Sequence, residues 1–410
     1  MKQAIILFSI LMIAIITASL LVSYSMTSNN TDPTPFYVGV TFCGNTPADA
    51  KLLIDKVKNY TNLFVLQSWA ISNNETATTE LCDYAVASGL NIIVNLGVNQ
   101  TYDRVWTWQF PWLESAEQRY GNRFLGSYYD DEPAGIQVDY DWLNFFLNYS
   151  SYFEGRPPVS PLHQIFADLE DKLANITRPE PKDYDTEAAW FQMVFESNQG
   201  FKSLKASGIK TFTSDYLLYW FDYLGGYDVM LAQFGWNNSH IQDIALVRGA
   251  ARMQNKSWGA IITWTYTEPP YLDSGEEIYN QMHTAYRAGA EYAIIFTHPQ
   301  IGDSPYGTLT DAHFEALEKL WSEVAQNPRK ISESQAEVAL VLPRNYGWGM
   351  RHPEDKIWGF WGPDEKSPQI WEISRKLLSQ HGTSLDIVYD DPAFPVTGKY
   401  SLTYYWNQTV

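Results

Sequence analysis

The stretch Arg123-Phe-Leu-Gly-Ser-Tyr-Tyr-Asp-Asp-Glu-Pro133 carries the pattern on which the fold is read. Residues 123–129 form an apolar, aromatic run suited to a buried strand, and the run stops in three consecutive carboxylates closed by a proline. Working outward, comparable runs occupy residues 36–42, 62–68, 91–96, 210–216, 227–234, 258–266 and 292–298. Helical patterns lie between them. In 47–60, Leu52, Leu53, Val57 and Tyr60 recur at helical spacing, and 241–255 reads the same way. Thr46-Pro47 marks one helix start, and Thr310-Asp311 precedes a last helix over 312–326. Strand and helix alternate eight times, the sign of parallel strands joined by crossover helices, and eight strands close a ring. The expected fold is therefore α/β: a (β/α)8 TIM barrel over residues 36–328.

Two further regions fall outside that repeat. Residues 144–182, with Gly155-Arg-Pro-Pro158 and Pro179-Glu-Pro181, form a long excursion between strand four and its helix, expected to arch over the top face. Past Asn327-Pro328 the pattern restarts: a strand at 336–342, a helix at 367–380, a strand at 385–389 and a third at 400–405. Residues 329–410 thus read as a small parallel-sheet α/β companion domain. Its aromatic loop contains Trp348, Arg351, Trp358 and Trp361, expected to pack at an interface.

The N-terminus points to export. Residues 4–22 are almost continuously apolar, long enough to cross a bilayer, with Lys2 before them and no Lys or Arg again until Lys51. Residues 1–25 read as a membrane anchor or a signal segment, with Ser23 and Ser25 available to a peptidase, and 26–35 as a linker. The chain is expected on the extracellular face of the membrane, or secreted, touching the membrane through this segment alone. Glycosylation sequons begin at Asn29, Asn59, Asn74, Asn99, Asn148, Asn175, Asn237, Asn255 and Asn407, against about three expected by chance. A formal charge of −19 argues against nucleic acid as a partner. Cys43 and Cys82, the two cysteines, allow one disulfide or two thiols, and no zinc cluster.

In barrel enzymes the reacting groups sit at the C-terminal strand ends. Here those ends are polar and aromatic: Trp69, Asn95, Tyr129 with Asp130, Asp131 and Glu132, Tyr216, Gln233 and Trp236, Trp264 and Tyr266 with Glu268, and His298. Flat rings with polar edges suit the apolar faces of sugars, and 16 Trp residues supply many. Other barrel chemistries lack their signatures. No His-x-His follows strand one, no Lys ends a strand, no glycine-rich turn follows strands seven and eight, and no Gly-x-Ser-x-Gly occurs. Neither a metal nor a cofactor is expected.

Glu132-Pro133 after strand four and Glu268-Pro269 after strand seven resemble the motifs of the retaining glycosidases of the large (β/α)8 clan. Members of that clan carry an acid/base Glu in Asn-Glu-Pro after strand four and a nucleophilic Glu at the end of strand seven. The resemblance implies Glu132 as acid/base and Glu268 as nucleophile, acting on an envelope or environmental polysaccharide. Residues 336–406 also look like a reduced form of the amidotransferase-like domain that ends some barrel glycosidases. Asp131 departs from the pattern, standing where the clan has Asn; an amide donates to a sugar hydroxyl, whereas a carboxylate only accepts. Neighbouring Asp130 and Asp131 would raise the pKa of Glu132, as a general acid requires. The bland alternative is that all three acidic residues cap the following helix. At the level of function the alternatives are a glycan-binding or envelope-scaffold protein on the same barrel, and a transglycosidase sharing both carboxylates.

Overall fold

Every residue of β2 (Leu63–Leu66) is buried, as are Val38, Val40 and Phe42 of β1 (Tyr37–Phe42), because a parallel sheet wrapped by helices is dry on both faces. The remaining barrel strands are β3 (Asn91–Val94), β4 (Phe124–Tyr128), β5 (Thr211–Asp215), β6 (Val229–Phe234), β7 (Ser257–Ile262) and β8 (Tyr292–Ile295). Each pairs in parallel with the next, and β8 returns to β1 from Tyr37↔Tyr292 to Val40↔Ile295, closing the eight-stranded barrel. This computed structural model describes residues 35–97, 108–140, 182–299, 301, 304–326, 328–329 and 335–408. The apolar segment 4–22 and the excursion 144–182, except Lys182, lie outside the described residues. Among the described residues no helix is long and apolar enough to cross a membrane.

Alternation along the strands determines what reaches the barrel mouth. Leu63, Val65, Ile93, Tyr128, Phe212, Val229, Leu231, Ile261, Tyr292 and Ile294 form the interior core. Tyr292 stacks on Tyr37 at 5.1 Å and meets Phe212 edge-on at 5.3 Å. That ring leaves no room at Gly259, where a Cβ would lie 2.5 Å from the Tyr292 Cβ. Successive strand residues face opposite sides, so the inward row continues two positions on. Gln67 follows Val65, Ser214 follows Phe212, and Gln233 follows Leu231.

The companion domain is a three-stranded parallel sheet, β10 (Leu385–Tyr389), β9 (Val338–Leu342) and β11 (Leu402–Tyr405) in that order, with one long helix, Ser367–His381. It docks on the barrel helix His240–Gln254. Arg248 Nε donates to Asp386 Oδ1 at 2.7 Å and its guanidinium also reaches the carbonyls of Thr383 and Leu385. Gly249 allows the contact, since a Cβ there would meet the Ile387 carbonyl oxygen at 2.6 Å. The aromatic loop is an interface, as its composition suggested. Trp348, Trp358 and Trp361 are buried, Trp358 meets Phe221 edge-on at 4.6 Å, and Arg351 donates to Asp139 at 2.6 Å and to Asp355 at 2.8 Å.

The disulfide option is overturned. Cys43 and Cys82 are free thiols; Cys82 is buried within the helix Glu75–Ala87 rather than at an element end, and Cys43 lies just past β1.

Candidate active site

Beyond Tyr128 the chain turns through two left-handed residues, Asp130 at φ 59° and Glu132 at φ 53°, conformations that side chains other than glycine adopt rarely. Backbone bonds to β5 hold this bend: Tyr129 N–H donates to Phe212 O at 2.8 Å and Glu132 N–H to Ser214 O at 2.9 Å. Asp130 locks the turn from within, accepting the Asp131 N–H at 3.0 Å on Oδ1 and the Thr213 hydroxyl at 3.1 Å on its carbonyl.

Pro133 then opens the helix Pro133–Tyr140, whose first N–H groups need acceptors. The cap comes from another strand. Asp215, the fully buried last residue of β5, accepts from Ala134 N at 2.7 Å, Gly135 N at 3.0 Å and Tyr216 N at 2.7 Å. Burial and the nearby Glu132 push the Asp215 carboxyl up, and these N–H donors oppose that. Because Asp215 does the capping, the side chains of Asp131 and Glu132 are left for other work.

Both are half-buried, and each is held by one oxygen. Gln233 Nε2, at the inward end of β6, donates to Glu132 Oε1 at 2.8 Å and to Ser214 Oγ at 2.9 Å. Asp131 Oδ1 accepts from the Tyr128 hydroxyl at 2.6 Å and from Ser214 Oγ at 3.0 Å. Among the described residues no donor reaches Glu132 Oε2 or Asp131 Oδ2. Burial, then the charge of Asp131, pushes the Glu132 carboxyl up to about 7, against the opposing Gln233 bond. Burial also raises Asp131, while its two hydroxyl donors favour the ionised form.

Four buried polar atoms at strand ends have no partner among the described residues: Gln67 Oε1, Gln233 Oε1, Thr265 Oγ1 and His298 Nδ1. Buried polar groups are nearly always satisfied, so such a set at one end of a barrel suits a polar ligand. His298 stands 6.0 Å from the Trp264 ring, and burial lowers its pKa. Trp69, Trp236 and Tyr266 expose 53%, 44% and 45% of their surface at the ends of β2, β6 and β7. Cys43 belongs to the same region: burial, opposed by Thr41 and aided by the charge of Asp131, pushes its thiol up to about 12, which leaves it protonated.

Other expected contacts are placed differently. Tyr129 is fully buried and turned to the helix layer, its ring 5.2 Å from Phe201 and its hydroxyl donating to Asn198. Tyr216 is also taken up in packing: its ring covers Gly135 and its hydroxyl donates to Asp139 at 2.6 Å. Both rings were expected as substrate contacts; here each hydroxyl is engaged by a side chain of the fold. Asn95 stays half-buried at the end of β3, its Oδ1 accepting from Gly97 N at 2.9 Å.

Glu268 lies beyond Ile262, where β7 ends, and is exposed. The loop folds back there: Thr265 N and Tyr266 N donate to Tyr271 O, and Tyr271 N donates to Glu268 O at 3.0 Å. Its carboxylate has no partner among the described residues. At the opposite, N-terminal end of the barrel, a cavity of about 410 Å³ is lined by Lys205, Lys210, Asp228 and Lys256 and contains none of the groups above.

Tyr128 was not singled out from sequence; Gln67, Ser214 and Asp215 fall within the strand ends read there, 67–69 and 214–216, but not among the candidate site residues. For Ser214 and Gln67 the signal was available, since each continues an inward row by two residues.

No protein-family profile and no curated protein matches the chain. Among solved structures it is similar to a GH5_18 protein from Streptomyces cattleya in complex with GlcNAc, at 12% identity and TM-score 0.53, covering 92% of this chain and 99% of that one. It also matches the catalytic domain of a beta-amylase from Paenibacillus polymyxa, at 10% identity and TM-score 0.40, over 71% of this chain and 99% of that one. A putative fructose-1,6-biphosphate aldolase from Coccidioides immitis matches at 10% identity and TM-score 0.35, over 73% and 92%. At these identities the likeness to the Streptomyces protein shows the fold: a closed (β/α)8 barrel followed by a small parallel α/β sheet.

Proposed function

We propose that this protein is a glycoside hydrolase whose general acid is Glu132. The observation that carries this reading is the clamp of Glu132 at the barrel mouth, one oxygen on Gln233 and the other without a donor among the described residues, beside Asp131. Cleaving a glycosidic bond at neutral pH requires a carboxyl that keeps its proton, and burial plus an adjacent carboxylate supply that. The unpartnered atoms of Gln67, Gln233, Thr265 and His298 match the hydroxyl groups of a sugar, and the exposed rings of Trp69, Trp236 and Tyr266 match its apolar faces. The GlcNAc held by the Streptomyces protein supports a sugar as the ligand.

The same reading sets the reaction outside the cell, on an envelope or environmental polysaccharide. The apolar segment 4–22 supports export, and so do the five sequon asparagines among the described residues, Asn59, Asn74, Asn237, Asn255 and Asn407, all of which are exposed. Incubating the part after the apolar segment with a panel of surface polysaccharides tests this function. New reducing ends are expected with the wild type and a loss of about 10²–10⁴-fold with Glu132→Gln. One observation favours a second reading, glycan binding without cleavage: the Glu268 carboxylate that the resemblance makes the nucleophile is exposed and has no partner among the described residues. Saturable polysaccharide binding with no new reducing ends would select it.

A further inference from the structure

Asp131 and Glu132 are adjacent carboxyls held in the same manner, by one oxygen each, so that both direct a free acceptor edge away from the chain's own donors. Behind them Gln233, 4% exposed, has a buried Oε1 with no partner among the described residues. The two hydroxyl donors on Asp131 favour its ionised form, and an ionised carboxylate only accepts. The substrate group facing Asp131 must therefore carry a proton on nitrogen or oxygen. Ser214 Oγ and Gln233 Nε2 link the two carboxyls in one chain of hydrogen bonds, so a sugar whose glycosidic oxygen meets Glu132 brings the substituent of the adjoining carbon within reach of Asp131.

Cleavage also needs an attacking group on the face opposite the leaving oxygen. Among the described residues the neighbouring carboxylates are engaged or out of reach: Asp215 is held by backbone N–H groups, Asp139 by Arg351 and Tyr216, and Asp222 is fully buried. Glu268 is exposed, and no side chain among the described residues orients it. A substituent on the substrate meets both requirements at once, if it has an N–H for Asp131 and an oxygen that reaches C1.

We propose, resting on the glycoside hydrolase reading, that the substrate is a 1,2-trans 2-acetamido glycoside whose own acetamido oxygen attacks C1 while Asp131 accepts the acetamido N–H. In the first step the acetamido oxygen forms a bond to C1 as the bond from C1 to the leaving oxygen breaks, and Glu132 gives that oxygen its proton. The cyclic oxazolinium ion that results carries its positive charge beside the Asp131 carboxylate. Water then attacks C1 and gives a proton to Glu132. The bond from C1 to the acetamido oxygen breaks, its electron pair restores the amide, and the sugar leaves with its original configuration. Substrate-assisted cleavage of this kind needs one protein acid and one acceptor carboxylate, the two groups the strand-four end holds.

The test compares oligosaccharides of 1,2-trans 2-acetamido sugars with their 2-hydroxy counterparts, using the protein after its apolar segment. The acetamido series is expected to be cleaved at least about 10²-fold faster, and Asp131→Asn to lose about 10²-fold in kcat. Replacing the acetyl group by mono-, di- and trifluoroacetyl should lower kcat stepwise, because the carbonyl oxygen becomes a poorer nucleophile; attack by a protein carboxylate would not produce that trend. Equal cleavage of the 2-hydroxy series, a flat fluoroacetyl series, or covalent labelling of Glu268 by a 2-deoxy-2-fluoro glycoside overturns the inference and leaves the hydrolase standing. No new reducing ends from either series or from any polysaccharide removes the hydrolase and the inference with it.

Discussion

Gln233 Nε2 donates to Glu132 Oε1 at 2.8 Å while lying 2.9 Å from Ser214 Oγ, so one amide on β6 ties the acid after β4 to a hydroxyl on β5. Three strands thereby share one polar network, and its members control the proton on Glu132.

The pH dependence follows directly. A general acid works protonated, and Glu132 is pushed up to about 7 by burial and by Asp131. With Glu132 as the acid, kcat/KM should fall as pH rises through about 7, as a pH–rate profile on any cleaved glycan would show.

Two substitutions should move that limb in opposite directions. Asp131→Asn removes a neighbouring negative charge, which lowers the Glu132 pKa and shifts the alkaline limb to lower pH. Gln233→Leu removes a hydrogen bond that favours the ionised form, so the limb shifts to higher pH while the maximal rate drops about tenfold as Glu132 loses its anchor. Profiles of the two variants that shift the same way would contradict the network.

Asp215 should matter for stability as well as rate. Asp215→Ala strands the N–H groups of Ala134, Gly135 and Tyr216 in the interior, at a cost of about 2–5 kcal/mol. Urea unfolding measures the loss, and activity should fall with it because the helix start positions Glu132.

Docking of the companion sheet is testable in the same way. Asp386→Ala leaves Arg248, 5% exposed, buried without its carboxylate, which should cost about 3–5 kcal/mol. A change under about 1 kcal/mol in the unfolding free energy would show that the Arg248–Asp386 pair does not hold the sheet.

The eight strands were legible because their apolar, β-branched runs recur between helical patterns, and each is present within a few residues. Strand ends were harder to read. The run 258–266 looks like one strand through Tyr266, yet β7 stops at Ile262 because Thr265 and Tyr266 turn their N–H groups to Tyr271 in the loop. That early stop moves Glu268 from a strand end into an exposed loop. Side-chain direction was equally hidden at Tyr129. Its neighbour Tyr128 takes the inward position, so alternation turns Tyr129 to the helices. Glu132 was visible as a carboxylate before a proline. Its support was not, because Ser214, Asp215 and Gln233 lie on strands that only barrel closure brings beside it.

The most direct measurement is the release of new reducing ends from polysaccharide by the wild type and by Glu132→Gln, both confirmed to be folded. Cleavage by the wild type, with a loss of about 10²–10⁴-fold in the variant, is the expected result. A Glu132→Gln protein as active as the wild type would contradict the assignment of the acid.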